Sequence, residues 1–226
     1  RTDPAWVFGF AELEPGHAEK IAAAEKVSNP GCYSTGAIAL IRPLTAIGML
    51  PADYPLTINA LSGYTGGGKA LIARFEDENA PDAVTAPAFA YGLALGHKHV
   101  PEIQTHGQLT RRPLFTHNVG KYPQGMTVQV PLHLDLLNGS PDIADVHGAL
   151  GGHYAGQDVV RMVPLEVSSG LSMIEPTELV RTNLMKLHVL GIPGGGQANL
   201  VAVLDNLGKG ASGACVQSMD LMIGSG

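Results

Sequence analysis

A chain of 226 residues with 45% hydrophobic and 15% charged residues has enough apolar material for one substantial core, which excludes a chain dominated by disorder. Its formal net charge of −6, with 14 Lys and Arg scattered rather than striped, excludes the basic face that tracks a nucleic-acid backbone. Two cysteines, Cys32 and Cys215, are too few for a disulfide-built fold and fit a reducing cytoplasm, and no apolar run is long enough to span a bilayer.

Residues 18–26 read as a short Ala-rich helix. Asn29-Pro30-Gly31 then punctuates the chain, and 34–44 has the length and apolar content of a second helix, so Cys32 sits at a turn entering a helix. Residues 56–61 read as a strand, Ser62 and Gly63 open a glycine-rich turn, and 69–78 read as a helix. Further strands are expected at 104–109, 126–134 and 186–190, with a helix over 143–154. An apolar strand over 198–204 precedes the glycines of 208–213, and 211–223 read as a final helix whose apolar spacing puts Cys215 in the core. These elements predict an α+β fold, a mixed and largely antiparallel sheet covered on one face by helices.

Cys32 is the most informative residue. A thiol at the N-terminal end of a helix feels unsatisfied N–H groups and the positive dipole end, which lowers its pKa and makes a nucleophile. The alternative is a small buried hydrophobe. The segment Gly63-Tyr64-Thr65-Gly66-Gly67-Gly68-Lys69-Ala70 has P-loop spacing, but Ala70 stands where magnesium binding needs Ser or Thr. What survives is either an anion cradle of backbone N–H groups with a lysine, or simply a flexible turn. His97-Lys98-His99 with Glu102 offers a general acid/base and its partner. A zinc site would need a closed set of three or four ligands, and neither cysteine has a C-x-x-C partner, so no metal is expected. Gly208-Lys209-Gly210-Ala211-Ser212-Gly213 matches G-x-G-x-x-G, yet only 13 residues follow it, too few for a dinucleotide-binding unit.

Four motifs, in this order, resemble the N-acetyl-gamma-glutamyl-phosphate reductase family in its shorter bacterial form: Asn29-Pro30-Gly31-Cys32-Tyr33, Ser62 to Lys69, His97-Lys98-His99-Val100-Pro101-Glu102, and Asp205 to Gly213. The resemblance runs along essentially the whole chain and implies the catalytic domain of the glyceraldehyde-3-phosphate and semialdehyde dehydrogenase-like fold. It implies that Cys32 attacks an acyl phosphate to give a thioacyl enzyme, which NADPH reduces to a semialdehyde with release of phosphate, in arginine biosynthesis. Asn29, Ser62, Gly63, Gly66 and Lys69 are expected around the substrate and its phosphate. His99, oriented by Glu102, is preferred over His97 as acid/base, and Asn206 is expected near the nicotinamide.

The family carries a Rossmann-type domain ahead of the Asn-Pro-Gly-Cys turn. Here 28 residues precede Asn29 and are expected to be the last connection of that domain. Residues 29–205 are then a catalytic and association domain, and 206–226 a loop and helix that pack on the cofactor domain. By the resemblance NADP(H) serves the complete enzyme and binds this chain alone weakly. The partners expected are a small acyl phosphate and further copies of the chain, with no nucleic acid and no membrane. Two rival readings are a cofactor-independent thiol acyl transferase or hydrolase, and a non-catalytic association module.

Overall fold

The N-terminal segment lies folded onto the rest of the chain in the computed structural model, which describes residues 1–224. β1 (Val7–Phe8) pairs in parallel with β2 (Val27–Ser28), and α1 (His17–Ala22) lies between them. Phe8, Phe10 and Leu13 are buried in the main core, so this stretch is packed rather than a loose tether.

α2 (Cys32–Ala46) is the central helix. Nearly every residue from Tyr33 to Leu44 is buried, because the helix is enclosed by sheet on one side and helices on the other. Gly36 allows the close approach: a Cβ there would lie 2.8 Å from Val128 Cγ2. Pro43 inside the helix cannot donate to the carbonyl of Ala39, and the hydroxyl of Tyr154 donates to it instead at 2.8 Å.

The sheet begins with β3 (Thr57–Gly63), followed by a 3-10 turn over Tyr64–Gly67 and α3 (Gly68–Glu76). Next come β4 (Ala88–Tyr91), α4 (Val100–His106), β5 (Leu114–Gly120), β6 (Met126–His133) and α5 (Ile143–His153). Asp142 caps α5 through a reciprocal box with Asp145. β7 (Val160–Met162), α6 (Leu165–Ser169), β8 (Met185–Leu190) and β9 (Gln197–Leu204) precede α7 (Gly213–Ile223). Seven strands run β4-β5-β3-β6-β9-β8-β7, with β3/β5 and β7/β8 parallel and the other neighbours antiparallel. This is the mixed, largely antiparallel sheet that the sequence predicts. Ile58, Ala60, Val128, Val130, Leu200 and Ala202 supply part of its buried face.

Two expectations fail for identifiable reasons, and one strand has no counterpart among them. The strand over 104–109 is instead the end of α4 and its exit through Gly107. Pro101 and Glu102 in its first turn favour a helix start there. β5 turns Phe115, His117 and Val119 inward in alternation, a period that the polar residues among them mask in the sequence. Cys215 is exposed and free, not core: α7 turns Ala214 and Ser218 inward and leaves Val216, Met219, Met222 and Ile223 outside.

Candidate active site

Cys32 occupies the first helical position of α2, after Gly31 in extended conformation. The carbonyl of Gly31 accepts from Ser34 Oγ at 2.8 Å and from Thr35 Oγ1 at 2.9 Å, and its N–H donates to Glu102 Oε2 at 3.0 Å. The turn that presents the thiol is therefore held at both of its polar ends. Burial pushes the thiol up to about 11, against the pull of the backbone N–H groups of Tyr33 and Cys32 and of the Arg1 charge. The lowered pKa expected from helix position thus meets an opposing effect, because desolvation of this half-buried thiol pulls against the helix N-terminus.

Glu102 is 3% exposed. Its Oε2 accepts Ser34 Oγ at 2.6 Å as well as Gly31 N–H, and Oε1 takes Arg1 at 2.7 Å. Burial alone would raise this carboxyl, but the hydrogen bonds from Ser34, Arg1 and Gly31 hold it below the usual 4.5. The expectation that Glu102 orients His99 is corrected, since the carboxylate is committed to the turn of Cys32 and reaches His99 only through its charge.

His99 lies directly over that turn: a Cβ on Gly31 would sit 2.1 Å from its Nε2. Burial brings its pKa down to about 3, so the ring is neutral at physiological pH. His97 accepts the backbone N–H of His99 on Nδ1 at 3.1 Å, and the two rings are 4.5 Å apart. The sequence missed a third imidazole, His117 of β5. It is 1% exposed, 4.5 Å from His97 and stacked at 4.6 Å on Phe115, with both ring nitrogens buried and unpartnered. Burial, then the neighbouring His97, lowers it to about 4. Tyr33 packs against all three imidazoles, and its hydroxyl accepts from Tyr91 at 3.2 Å. Among the described residues, no three His, Cys, Asp or Glu side chains converge to hold a metal.

The glycine loop is less of a cradle than its sequence implied. The N–H groups of Gly63, Tyr64 and Thr65 donate to the carbonyls of Gly125, Tyr122 and Pro123 at 2.9, 2.9 and 3.2 Å, so they are already spent on the chain. Gly66 and Lys69 are exposed, whereas Ser62 is buried with its hydroxyl on Gly63 O at 3.0 Å. Asn206, 1% exposed, accepts Gly125 N–H at 2.8 Å and donates to Thr65 Oγ1 at 3.0 Å; both ends of its amide brace this loop. Asn29 donates to Ala211 O at 3.0 Å and keeps Oδ1 buried and unpartnered, three residues before Cys32.

A cleft of about 900 Å³ opens between α1, α7 and the segment around Asn183. Its lining carries Glu14, Glu19, Asp158 and Asp220 against a single Arg181 among the described residues, while Glu12 and Asp205 lie buried behind it and are already bonded. That lining is wrong in sign for a dinucleotide pyrophosphate, and the G-x-G-x-x-G glycines form a wide π-type turn rather than a phosphate loop.

The model of the semialdehyde dehydrogenase dimerisation domain matches residues 32–206. The N-acetyl-gamma-glutamyl-phosphate reductases of Brucella ovis and Brucella abortus are 61% identical to this chain over 224 residues, covering 99% of it and 72% of their own length. Among solved structures, aspartate semialdehyde dehydrogenase II from Vibrio cholerae has a TM-score of 0.70 at 16% identity, over 98% of this chain and 69% of that one. A probable aspartate-semialdehyde dehydrogenase from Pseudomonas aeruginosa gives 0.65 at 18% identity, over 93% and 66%. At these identities the two structures show the fold alone.

Proposed function

The chain belongs to the N-acetyl-gamma-glutamyl-phosphate reductase family, and on that premise we propose that it carries the thiol half of the reduction of N-acetyl-gamma-glutamyl phosphate to N-acetylglutamate semialdehyde and phosphate, in arginine biosynthesis. The observation that carries this reading is the stack of His99 over Gly31, with Cys32 next in the chain and its sulfur against the N–H groups of Cys32 and Tyr33.

In this reading the sulfur attacks the acyl carbon, the carbon–sulfur bond forms as the carbon–oxygen bond to phosphate breaks, and a thioester remains on Cys32. The first-turn N–H groups face the oxygen that takes up negative charge. The neutral His99 over the turn relays the thiol proton to the departing phosphate as the carbon–sulfur bond forms, without resting as an imidazolium. Gly66 and Lys69, the exposed members of the loop, are the groups we assign to the phosphate side, with Asn29 at the nucleophile turn; Ser62 and Gly63, whose hydroxyl and N–H are bonded within the chain, shape that loop behind them. Glu102 holds the turn.

A reduced nicotinamide dinucleotide, NADPH in our reading, supplies the hydride of the overall reaction. The described residues do not fit its pyrophosphate, and we assign no hydride step to them; Asn206 enters only as the brace of the loop. The exposed Val216, Met219, Met222 and Ile223 of α7 support the reading that the segment from residue 206 packs back on a cofactor domain, and we keep with it 1–28 as the connection leading in and 29–205 as the catalytic and association domain; residues 225–226 lie outside the described residues. The matched dimerisation domain favours a homo-oligomer. The sheet offers it a half-buried polar face of Asn59, Thr116, Gln129 and Asn199. No helix among the described residues is long and apolar enough to cross a membrane; we assign the enzyme to the cytoplasm.

The test is intact-protein mass after mixing with N-acetyl-gamma-glutamyl phosphate, in a Cys215→Ser background because Cys215 is an exposed thiol. An acyl adduct that vanishes in Cys32→Ser supports the thioacyl step. An adduct that persists without Cys32 removes it.

A further inference from the structure

The turn Gly208–Ser212 carries Lys209, which is 0% exposed. Its Nζ donates to Glu12 Oε2 at 2.7 Å and to Gln217 Oε1 at 2.6 Å, while Gln217 Nε2 donates to Glu12 Oε1 at 2.7 Å. The three side chains close a ring, with Nζ 5.2 Å from the centre of the buried Phe10 ring. They join the N-terminal segment, the wide turn and α7. A buried ammonium and carboxylate are costly unless paired and hydrogen-bonded, and here both are.

The next residue touches the nucleophile. A Cβ on Gly210 would lie 2.8 Å from Cys32 Cβ and 3.3 Å from its Cα, so the turn backbone is pressed on that residue. The residue after it, Ala211, accepts Asn29 Nδ2 on its carbonyl at 3.0 Å. Three consecutive residues therefore anchor in the ring, contact Cys32 and grip the Asn29 turn. The charges acting on the thiol are those of Arg1 and Glu102, and the Lys209–Glu12 pair is neutral as a unit.

We infer that Lys209 is a positioning residue for Cys32: the Glu12–Lys209–Gln217 ring fixes the Gly208–Ser212 turn against the nucleophile and thereby sets the direction from which the thiol attacks. For its turnover readout the inference rests on the reductase reading above.

The test uses the full-length enzyme in the Cys215→Ser background. Lys209→Met alone strands a buried carboxylate, so the informative variant is Lys209→Met with Glu12→Gln, which removes both charges and keeps an amide pair with Gln217. Circular dichroism reports folding, steady-state kinetics reports kcat and KM, and iodoacetamide reports the pH midpoint and limiting rate of Cys32 alkylation. The expected result is a folded variant with kcat down about tenfold or more and KM within about twofold, because a small misplacement of a reacting group is costly in rate. The alkylation midpoint stays put while its limiting rate rises about threefold as the turn loosens. Unchanged kcat and unchanged limiting rate in a folded variant overturn the inference. So does a midpoint shifted by about one pH unit or more, because Lys209 would then act through its charge.

Should the double variant fail to fold, Gln217→Met, which keeps the Lys209–Glu12 pair, decides by the same readouts with smaller changes. A parent that folds and alkylates at Cys32 but reduces no substrate with NADPH refutes the reductase reading, and the limiting alkylation rate still decides the role of Lys209.

Discussion

Glu102 Oε2 accepts the backbone N–H of Gly31 at 3.0 Å, so a carboxylate from α4 closes the turn that presents Cys32 from α2. Removing it in Glu102→Ala leaves the Gly31 N–H and the Ser34 hydroxyl without their acceptor, at a cost of about 1–3 kcal/mol, measurable by urea unfolding. Because the folded pKa of Glu102 is depressed, its contribution is present above the unfolded value of 4.5 and is lost as pH falls below it. Glu102→Gln should flatten the stability profile in that acid window; a profile as steep as the parent's would refute this role.

The contact of His99 with Gly31 predicts the outcome of a single methyl. In Gly31→Ala the new Cβ would meet Nε2 at 2.1 Å and Cδ2 at 2.4 Å, so the ring must move. Overpacking of this kind costs about 1–3 kcal/mol. Turnover should fall further than stability accounts for, by about a hundredfold, as the base leaves the nucleophile. Near-parental kcat in a folded Gly31→Ala would show that the position of His99 does not matter.

Alkylation of Cys32 should report a reluctant thiol. With the pKa raised to about 11 by burial, the thiolate is scarce at neutral pH, and the iodoacetamide rate in a Cys215→Ser background should still be climbing at about pH 10. A plateau reached by about pH 8 would mean that the helix N-terminus outweighs desolvation after all.

The three imidazoles make separable predictions. His99→Asn should lower turnover by about 100-fold or more and His97→Asn by less, since only His99 lies over the nucleophile turn; equal or reversed losses would move the acid/base role to His97. His117 must become charged once acid unfolds the chain. Its depressed pKa therefore makes stability fall as pH drops from 6.5 towards about 4. In His117→Phe that loss should be smaller, and stability at pH 7 should rise by about 1 kcal/mol because two unpaired buried nitrogens are removed. A steeper acid loss in the variant would contradict the assignment.

Much of this molecule follows from local pattern. The alternation over 126–134 and the apolar run over 198–204 became β6 and β9, paired from Met126↔Leu204 to His133↔Gln197. Asn29-Pro30-Gly31 ended one segment and let α2 begin at Cys32, because proline and an extended glycine stop one element and α2 starts directly after them. The sequence by itself thus determined the class of fold, the central helix and the residue at its start, since periodicity, turn chemistry and helix entry are properties of neighbours in the chain.

What it did not determine depends on residues that meet from far apart. Glu102 turned from an expected partner of His99 into the clamp of the Cys32 turn, 71 positions from Gly31. The glycine loop lost its first three N–H groups to carbonyls of the 122–125 turn. Lys209, one letter in a failed dinucleotide motif, found its carboxylate 197 positions away. The thiol of Cys32 ended with a raised pKa because desolvation is set by everything packed around a group, whereas the helix N-terminus is set by the few residues that begin the helix. Burial and long-range pairing exist only once the chain has closed on itself, which is why tertiary structure alone decided them.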